Sequence, residues 1–268
     1  MRAFVSTFKV PKAGSTAAEY EDASHVAPEV GNHVEVGDHG EVVGPQLVAA
    51  VADGASEALL AGHWARHLTA SFTAAPAGQD LAVTILAAAA GWDEVEAGYR
   101  RSRRDAGEPI EWYEEDGLRR GAYATIVGVH LLDGPSDRHG PLLMSALGDA
   151  CLFQIRDDDL FLAFPIDNPD QFGTRPALAP SRPLDPAKIG EHVVALETVW
   201  RQGDQLLLAS DALAQWFLAQ HGAGGKPWRT LTDLGTDAET GGFPRLVEGC
   251  RANGSLKNDD TTLLRIDL

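Results

Sequence analysis

Sequence patterns typical of strands and of helices are grouped along this chain and do not alternate. Apolar or alternating runs predict strands at 1–10, 47–52, 122–132, 142–147, 150–155, 192–200, 205–209 and 261–266, and a short strand opening at 20–23. Apolar residues at helical spacing predict helices at 56–74, 80–104, 212–220 and 243–253. Because a parallel doubly wound sheet would need alternating strands and helices, this order favours an α+β fold with mainly antiparallel sheets.

The connections between these elements carry three further expectations. Gly148-Asp149 lies between two predicted strands and is interpreted as a hairpin turn. Residues 31–44 are polar and Gly-rich, which predicts another hairpin region, and 107–116 is expected to be an acidic loop. Residues 161–186 are rich in Pro, Asp and Asn without any period, which predicts a flap-like loop.

Composition limits the kinds of partner. The 268 residues suit one domain or a closely joined pair, and the formal net charge of -17 disfavours binding to nucleic acid or to an anionic membrane. Cys151 and Cys250 form no metal-binding or disulfide pattern, so we expect reduced core residues. No secretory signal or membrane span is recognisable, and a cytoplasmic monomer is the expectation.

Acidic residues recur where predicted strands begin or end. Asp53 follows the apolar run LVAAVA and precedes Gly54, Asp149 follows LLMSALG, and Asp211 follows QLLLAS. Asp259-Asp260 precede the last strand, and Glu21-Asp22 open a short one. A carboxylate at the end of a buried strand is unfavourable unless a positive charge compensates it.

A divalent cation would compensate several such carboxylates at once. Clustered carboxylates raise one another's pKa, and hard oxygen donors without Cys or His suit Mg²⁺ or Mn²⁺. Each motif also has an ordinary interpretation: Asp149 as a turn residue, Ser210-Asp211 as a helix cap, and Asp259-Asp260 as a solvated pair. Only the set in its order supports the metal hypothesis.

In that order the motifs resemble the PPM/PP2C family of metal-dependent serine/threonine protein phosphatases. The corresponding stretches are Glu21-Asp22-Ala23, Asp53-Gly54, GAYATIVGVHL from Gly121, Gly148-Asp149-Ala150, Ser210-Asp211-Ala212 and Asp259-Asp260-Thr261. Three further stretches resemble bacterial members of the family: DGASE from Asp53, LAQWF after Asp211, and the Lys-Asn pair before Asp259. The resemblance is therefore to a divergent, bacterial-type member.

The resemblance implies one PP2C-like domain over 1–268, folded as a four-layer α-β-β-α sandwich with a dinuclear Mn²⁺ or Mg²⁺ centre at one end. It implies that Asp53 bridges the ions, that Asp211 and Asp259 bind one of them, and that Glu21, Asp22 and the Gly54 carbonyl lie on the side of the other. Asp149 would share a weaker third ion with Asp211, and Asp260 would support the ligands without binding metal.

The activity implied is hydrolysis of phosphoserine and phosphothreonine by a metal-bridging hydroxide, in which Asp53 and Asp211 are essential for catalysis. The implied partners are phosphorylated proteins in signalling, with a cognate Ser/Thr kinase or its targets.

Several positions depart from the family pattern. Where many members have an arginine that binds phosphate, this chain has Ala17-Ala18-Glu19-Tyr20. Lys9 and Lys12 are candidates for substrate binding, with solvated surface lysines as the alternative. Ala55 stands where some members have a histidine that acts as a general acid.

Two other functions are compatible with some of these residues. A haloacid-dehalogenase-type phosphotransferase needs Asp-x-Asp at a strand end, with the first Asp as the nucleophile. In this chain Val51 stands two positions before Asp53, so the nucleophile is missing and this function is disfavoured. A non-catalytic PP2C-fold regulatory or binding module would explain the missing arginine, whereas retention of Glu21, Asp53, Asp211 and Asp259 favours an enzyme.

Overall fold

The computed structural model describes residues 1–28, 39–136, 138–173, 175–183, 185, 187–234 and 241–268. Its strands are β1 (Arg2–Val10), β2 (Ala23–Ala27), β3 (His39–Val43), β4 (Gln46–Gly54), β5 (Tyr123–Leu132), β6 (His139–Leu147), β7 (Cys151–Arg156), β8 (Asp159–Phe164), β9 (Ala179–Pro180), β10 (Val194–Arg201), β11 (Gln205–Ala209) and β12 (Thr261–Asp267). Its helices are α1 (Ala61–Ala74), α2 (Leu81–Ala90), α3 (Trp92–Asp105), α4 (Trp112–Arg120), α5 (Ala187–Gly190), α6 (Asp211–Gly222), α7 (Pro227–Thr232) and α8 (Gly242–Ala252).

The strands form two antiparallel sheets. The first sheet has the order β3-β1-β12-β11-β7-β8, and the second has the order β10-β6-β5-β4-β2, with β9 also paired to β5. The chain therefore enters the second sheet for β4 to β6 and returns to the first for β7 and β8.

The apolar faces of the sheets and helices pack into four layers. The inner faces of the two sheets pack together through side chains such as Leu47, Val129, Leu206 and Ile266. The outer face of the second sheet is covered by α1 to α5, and that of the first sheet by α6 to α8. Because each face is buried against a neighbouring layer, the predicted α-β-β-α sandwich of antiparallel sheets is confirmed.

The prediction of a single helix at 80–104 was wrong. It folds as α2 and α3, separated at Gly91, where an added Cβ would lie 3.2 Å from the His67 ring. The second half of the predicted acidic loop is helix α4, which begins with a reciprocal capping arrangement between Glu111 and Glu114. Helix α1 starts at Ala61 and not at 56, because Leu60 adopts a left-handed conformation.

The interpretation of Gly148-Asp149 as a hairpin turn was also wrong. β6 pairs with β5 and β10, whereas β7 pairs with β8 and β11, so this segment crosses from one sheet to the other. Gly148 has a φ of +102°, and an added Cβ would lie 2.5 Å from the Thr125 side chain. The sequence pattern of a sheet crossing and of a tight turn is the same, and only the pairing distinguishes them.

Three smaller expectations can be compared with the structure. Part of the predicted 31–44 hairpin region lies outside the described residues, and β3 occupies 39–43. The 161–186 segment begins as β8 and later pairs with β5 through β9. Cys151 and Cys250 are buried free thiols, as expected. None of the helices within the described residues has both the length and the apolarity to cross a membrane.

Candidate metal centre

The acidic motifs meet at one end of the sandwich. In the first sheet the pairing places the end of β11 beside the start of β7, at Ala209 and Cys151. In the second sheet the start of β2 lies beside the end of β4, at Ala23 and Ala52. The sheet crossing at Gly148-Asp149 is at the same end. Strand pairing therefore gathers acids from five distant stretches of sequence.

Asp53 lies at the electrostatic centre of this group. It is the second-last residue of β4 and is paired with Thr125 of β5. Burial raises its pKa well above the ordinary value, and repulsion from four carboxylates adds to the rise. In order of effect these are Asp22, Asp211, Asp259 and Asp149.

Asp22 is the most deeply buried of the acids. The Thr262 hydroxyl donates to its Oδ2 at 2.9 Å, which links the two sheets across 240 positions of sequence. Its Oδ1 is buried and has no hydrogen-bond partner among the described residues. Burial raises the pKa of Asp22 to about 7, although the hydrogen bond from Thr262 opposes the rise.

Asp260 fixes the chain around Glu21, and its charge also adds to the rise in the pKa of Asp22. Its two oxygens accept from the backbone N–H groups of Lys12, at 2.8 Å, and Glu21, at 2.7 Å. The Lys12 ammonium lies 3.4 Å from Glu21 Oε2 and 3.4 Å from the Ser56 hydroxyl. Burial alone would lower the pKa of Lys12, but the attraction of Glu21 raises it overall.

Asp211 and Asp259 are joined by a lysine. The Lys257 ammonium lies 3.1 Å from Asp211 Oδ2 and 3.0 Å from Asp259 Oδ2. Although burial acts to lower the pKa of Lys257, the two carboxylates raise it overall. The sequence marked this lysine as part of the Lys-Asn pair before Asp259 but did not indicate its contacts, because these depend on two acids 48 positions apart.

Asp149 lies on the sheet crossing beside Asp211. Burial raises the pKa of Asp149 to about 6, and the charge of Asp211 adds to the rise, while Lys257 acts in the opposite direction. The structure thus places Asp22, Asp53, Asp149, Asp211 and Asp259 within electrostatic reach of one another.

The donor set has the chemistry that Mg²⁺ and Mn²⁺ prefer, since it consists of carboxylate and carbonyl oxygens. The unpartnered Asp22 Oδ1 is a buried oxygen in need of a positive partner. At Gly54 an added Cβ would lie 2.8 Å from the Glu21 carbonyl oxygen, so only glycine lets these two segments approach. Among the described residues, however, no three carboxylate, imidazole or thiol groups already form a compact metal-binding cluster.

Comparison with known proteins gives matches at the level of structure. No family model matches the sequence, and no curated protein does. The photosystem II phosphatase PBCP matches at 15% identity over 99% of this chain and 98% of that chain, with a TM-score of 0.59. The Mycobacterium tuberculosis serine/threonine phosphatase PstP/Ppp matches at 16% identity over 100% and 99%, with a TM-score of 0.54.

Stp1, a serine/threonine phosphatase from Staphylococcus aureus, matches at 15% identity over 98% of this chain and 94% of that chain, with a TM-score of 0.52. A further structure of the PstP catalytic domain, in complex with two manganese ions, matches at 16% identity over 100% and 99%, with a TM-score of 0.52. All these matches extend over essentially whole chains.

The chain has the PP2C phosphatase fold. The resemblance inferred from the motif order is therefore confirmed for the architecture.

One part of this PP2C fold that the sequence did not single out is a cleft beside Asp149. The cleft has a volume of about 250 Å³, and Gln171, Arg175 and His192 also line it. Among the described residues nothing forms a hydrogen bond or ion pair with the Arg175 guanidinium, and this side chain is exposed. Arg175 lies within the predicted flap segment, which carried no recognisable motif.

The two lysines predicted to bind substrate are placed differently in the PP2C fold. Lys12 is brought to the acidic group through Glu21, as described above. Lys9, three residues before Lys12, lies opposite Thr262 in the pairing of β1 with β12. Many family members were expected to have a phosphate-binding arginine near this point. Here Ala17 begins a short 3-10 turn, and its side chain carries no charge.

Proposed function

We propose that this protein is a Mg²⁺- or Mn²⁺-dependent phosphomonoester hydrolase of the PPM/PP2C family, acting on phosphoserine and phosphothreonine in proteins. The observation that carries the proposal is the surroundings of Asp53. Four other carboxylates, from separate strand ends, act on this one buried acid. Such a cluster is unfavourable by itself and favourable around divalent cations.

The acidic residues would hold the cations. Asp53 is central and would bridge two ions, Asp211 and Asp259 would bind one, and Asp22, Glu21 and the Gly54 carbonyl would serve the other. Asp149 would bind a third ion together with Asp211. When bound, these ions would supply activation of water and neutralisation of phosphoryl charge. In that scheme Asp53 and Asp211 are essential for catalysis, and Asp260 keeps Glu21 in position through its backbone contact.

The chain's own cationic groups would orient the substrate. Arg175 and His192 line the cleft beside Asp149, where a phosphoryl group could accept their hydrogen bonds. Lys12 is a second candidate for substrate binding, and Lys9 is a weaker one. With Ala55 after Gly54, this chain has no side-chain proton donor at that position for the leaving group.

The biological setting follows from the same proposal. A net charge of -17 supports a protein substrate over nucleic acid or a membrane. We propose a single domain over 1–268 that acts in the cytoplasm as a monomer, on phosphoproteins made by a cognate Ser/Thr kinase.

The proposal is tested by phosphatase assays on p-nitrophenyl phosphate with Mn²⁺, with Mg²⁺ and with EDTA. Turnover that requires the metal and is lost in Asp53→Asn is the expected result. The Asp105→Asn variant is a matched control, because Asp105 is exposed at the end of α3. Tight Mn²⁺ binding without turnover of any phosphoester would exclude the phosphatase activity.

A second candidate is a non-catalytic PP2C-fold module that regulates or binds a partner. Two observations favour it: Ala17 provides no phosphate-binding arginine, and Lys257 already forms ion pairs with Asp211 and Asp259. The same assays decide between the candidates, because a module of this kind would have no metal-dependent turnover.

A further inference from the structure

Lys257 makes two ion pairs inside the group of acids proposed above as metal ligands. Its ammonium lies 3.1 Å from Asp211 Oδ2 and 3.0 Å from Asp259 Oδ2. Asp211 is the first residue of α6, whereas Asp259 lies in the segment before β12. One lysine therefore connects two carboxylates that come from different elements.

The oxygen atoms that Lys257 contacts are the ones left over from backbone hydrogen bonds. Asp211 Oδ1 accepts from the N–H of Ala212, and Asp259 Oδ1 accepts from the N–H of Asp260 at 3.1 Å. The Oδ2 atoms remain for a positive partner, and the lysine ammonium takes both. A divalent cation bound by the same two carboxylates would need the same oxygens.

The lysine is held loosely enough to be displaced. Its side chain is 55% exposed, so rotation about its flexible stem would return the ammonium to water at moderate cost. An ammonium and a divalent cation in contact with the same two oxygens repel each other strongly, so the two cations exclude one another.

We infer that Lys257 is a resident cation of the acidic group, which competes with a divalent metal ion for Asp211 and Asp259 and so raises the metal concentration needed to load this position. The inference rests on the proposed function, since it takes the same residues as ligands. The remaining acids at the centre of the group, Asp22 and Asp53, make no ion pair with a lysine among the described residues. On the other side Glu21 has its own lysine partner, because the Lys12 ammonium lies 3.4 Å from its Oε2, so the competition inferred for Lys257 concerns the position formed by Asp211 and Asp259.

The test compares Mn²⁺ binding by calorimetry, after treatment with EDTA and its removal, for wild type and Lys257→Met. Because the variant keeps the apolar stem and loses the charge, its dissociation constant for Mn²⁺ should be lower by about 10-fold. Lys257→Arg should stay close to wild type, since it keeps the positive charge. Lys188→Met is the control, because exposed Lys188 on α5 pairs with Asp185 at 3.8 Å and with no other acid among the described residues.

Unfolding midpoints give a second readout that does not depend on activity. In EDTA, Lys257→Met should unfold at a lower temperature than wild type, because Asp211 and Asp259 lose their positive partner. Saturating Mn²⁺ should remove the difference. An equal difference with and without Mn²⁺ would contradict the competition.

Several outcomes overturn the inference. Unchanged or weaker Mn²⁺ binding by Lys257→Met does so, and so does an absence of Mn²⁺ binding in both proteins. Tighter binding supports it whether or not the protein hydrolyses p-nitrophenyl phosphate. Turnover therefore decides the proposed function separately from the role of Lys257.

Discussion

The carboxylate of Asp260 accepts a hydrogen bond from the backbone N–H of Glu21 at 2.7 Å, although 239 positions separate the two residues in sequence. Its other oxygen accepts from the N–H of Lys12 at 2.8 Å. Asp260 thus fixes the segment that carries Glu21 against the start of β12. This contact supports the expectation that Asp260 positions metal ligands without binding metal itself.

The Asp260→Asn substitution tests this arrangement. The amide would replace one acceptor oxygen by an NH₂ group, which faces a backbone N–H and leaves that donor without a partner. We expect a loss of about 1–3 kcal/mol in the free energy of unfolding and a weaker affinity for Mn²⁺. Chemical denaturation and calorimetry measure the two effects. The exposed Asp105→Asn variant should leave both unchanged, and a neutral effect of Asp260→Asn would contradict the positioning role.

The buried carboxylate of Asp22 makes stability depend on pH when the metal is removed. Its pKa is about 7 in the folded protein against an ordinary value of 3.8, with burial as the main cause. Between pH 4 and pH 7 the folded protein therefore holds more protons than the unfolded chain. Raising the pH through this range lowers the stability of the folded state.

The Asp22→Asn variant should escape this loss, because its amide does not ionise and can still accept from Thr262. Measured in EDTA, the stability of the variant relative to wild type should increase by about 2–3 kcal/mol between pH 5 and pH 8. Urea unfolding at several pH values measures the change. A constant difference across this range would show that Asp22 does not hold a proton in the folded protein.

Arg175 is expected to bind the phosphoryl group of the substrate. Because Arg175 lines the cleft beside Asp149, Arg175→Ala should raise KM for a phosphothreonine peptide about 10-fold and change kcat less. Arg175→Lys should recover part of the loss. Arg138→Ala is the control, since Arg138 contacts Gln202 near the opposite end of β6. Equal effects of the two alanine variants would remove Arg175 from the substrate site.

Much of the fold could be predicted from local sequence patterns. The apolar run before Asp53, the long pattern of β5 and the last strand were each recognisable because burial on both faces demands continuous apolar residues. Helix boundaries were less accurate. Gly91 divides α2 from α3. The capping residues of α4, Glu111 and Glu114, lie in the acidic stretch that was predicted to be a loop.

Pairing between distant strands could not be deduced from the same patterns. Gly148-Asp149 is a sheet crossing, which the local sequence does not distinguish from a hairpin. This difference matters for the site, because the crossing brings Asp149 to the group that contains Asp53 and Asp211. The motif order nevertheless indicated which acids belong together before any pairing was known.

The positions of the cationic side chains of the site could not be predicted from local sequence patterns. Lys257 contacts Asp211 across 46 positions, and Arg175 lies in a segment without a period. A lysine or arginine in a polar stretch is most often solvated, so its role depends on the three-dimensional position of the acids and clefts around it. Sequence identified the carboxylates because strand ends constrain them, and no comparable constraint applies to these cations.

The most direct test of a metal-dependent phosphatase is release of inorganic phosphate from a phosphothreonine peptide with Mn²⁺ or with EDTA. We expect wild type to release phosphate only with Mn²⁺, and Asp53→Asn to lose at least 100-fold in kcat/KM, on the order of 3 kcal/mol of transition-state stabilisation. Equal release in EDTA, or no release by wild-type protein that binds Mn²⁺ tightly, would contradict the proposed function.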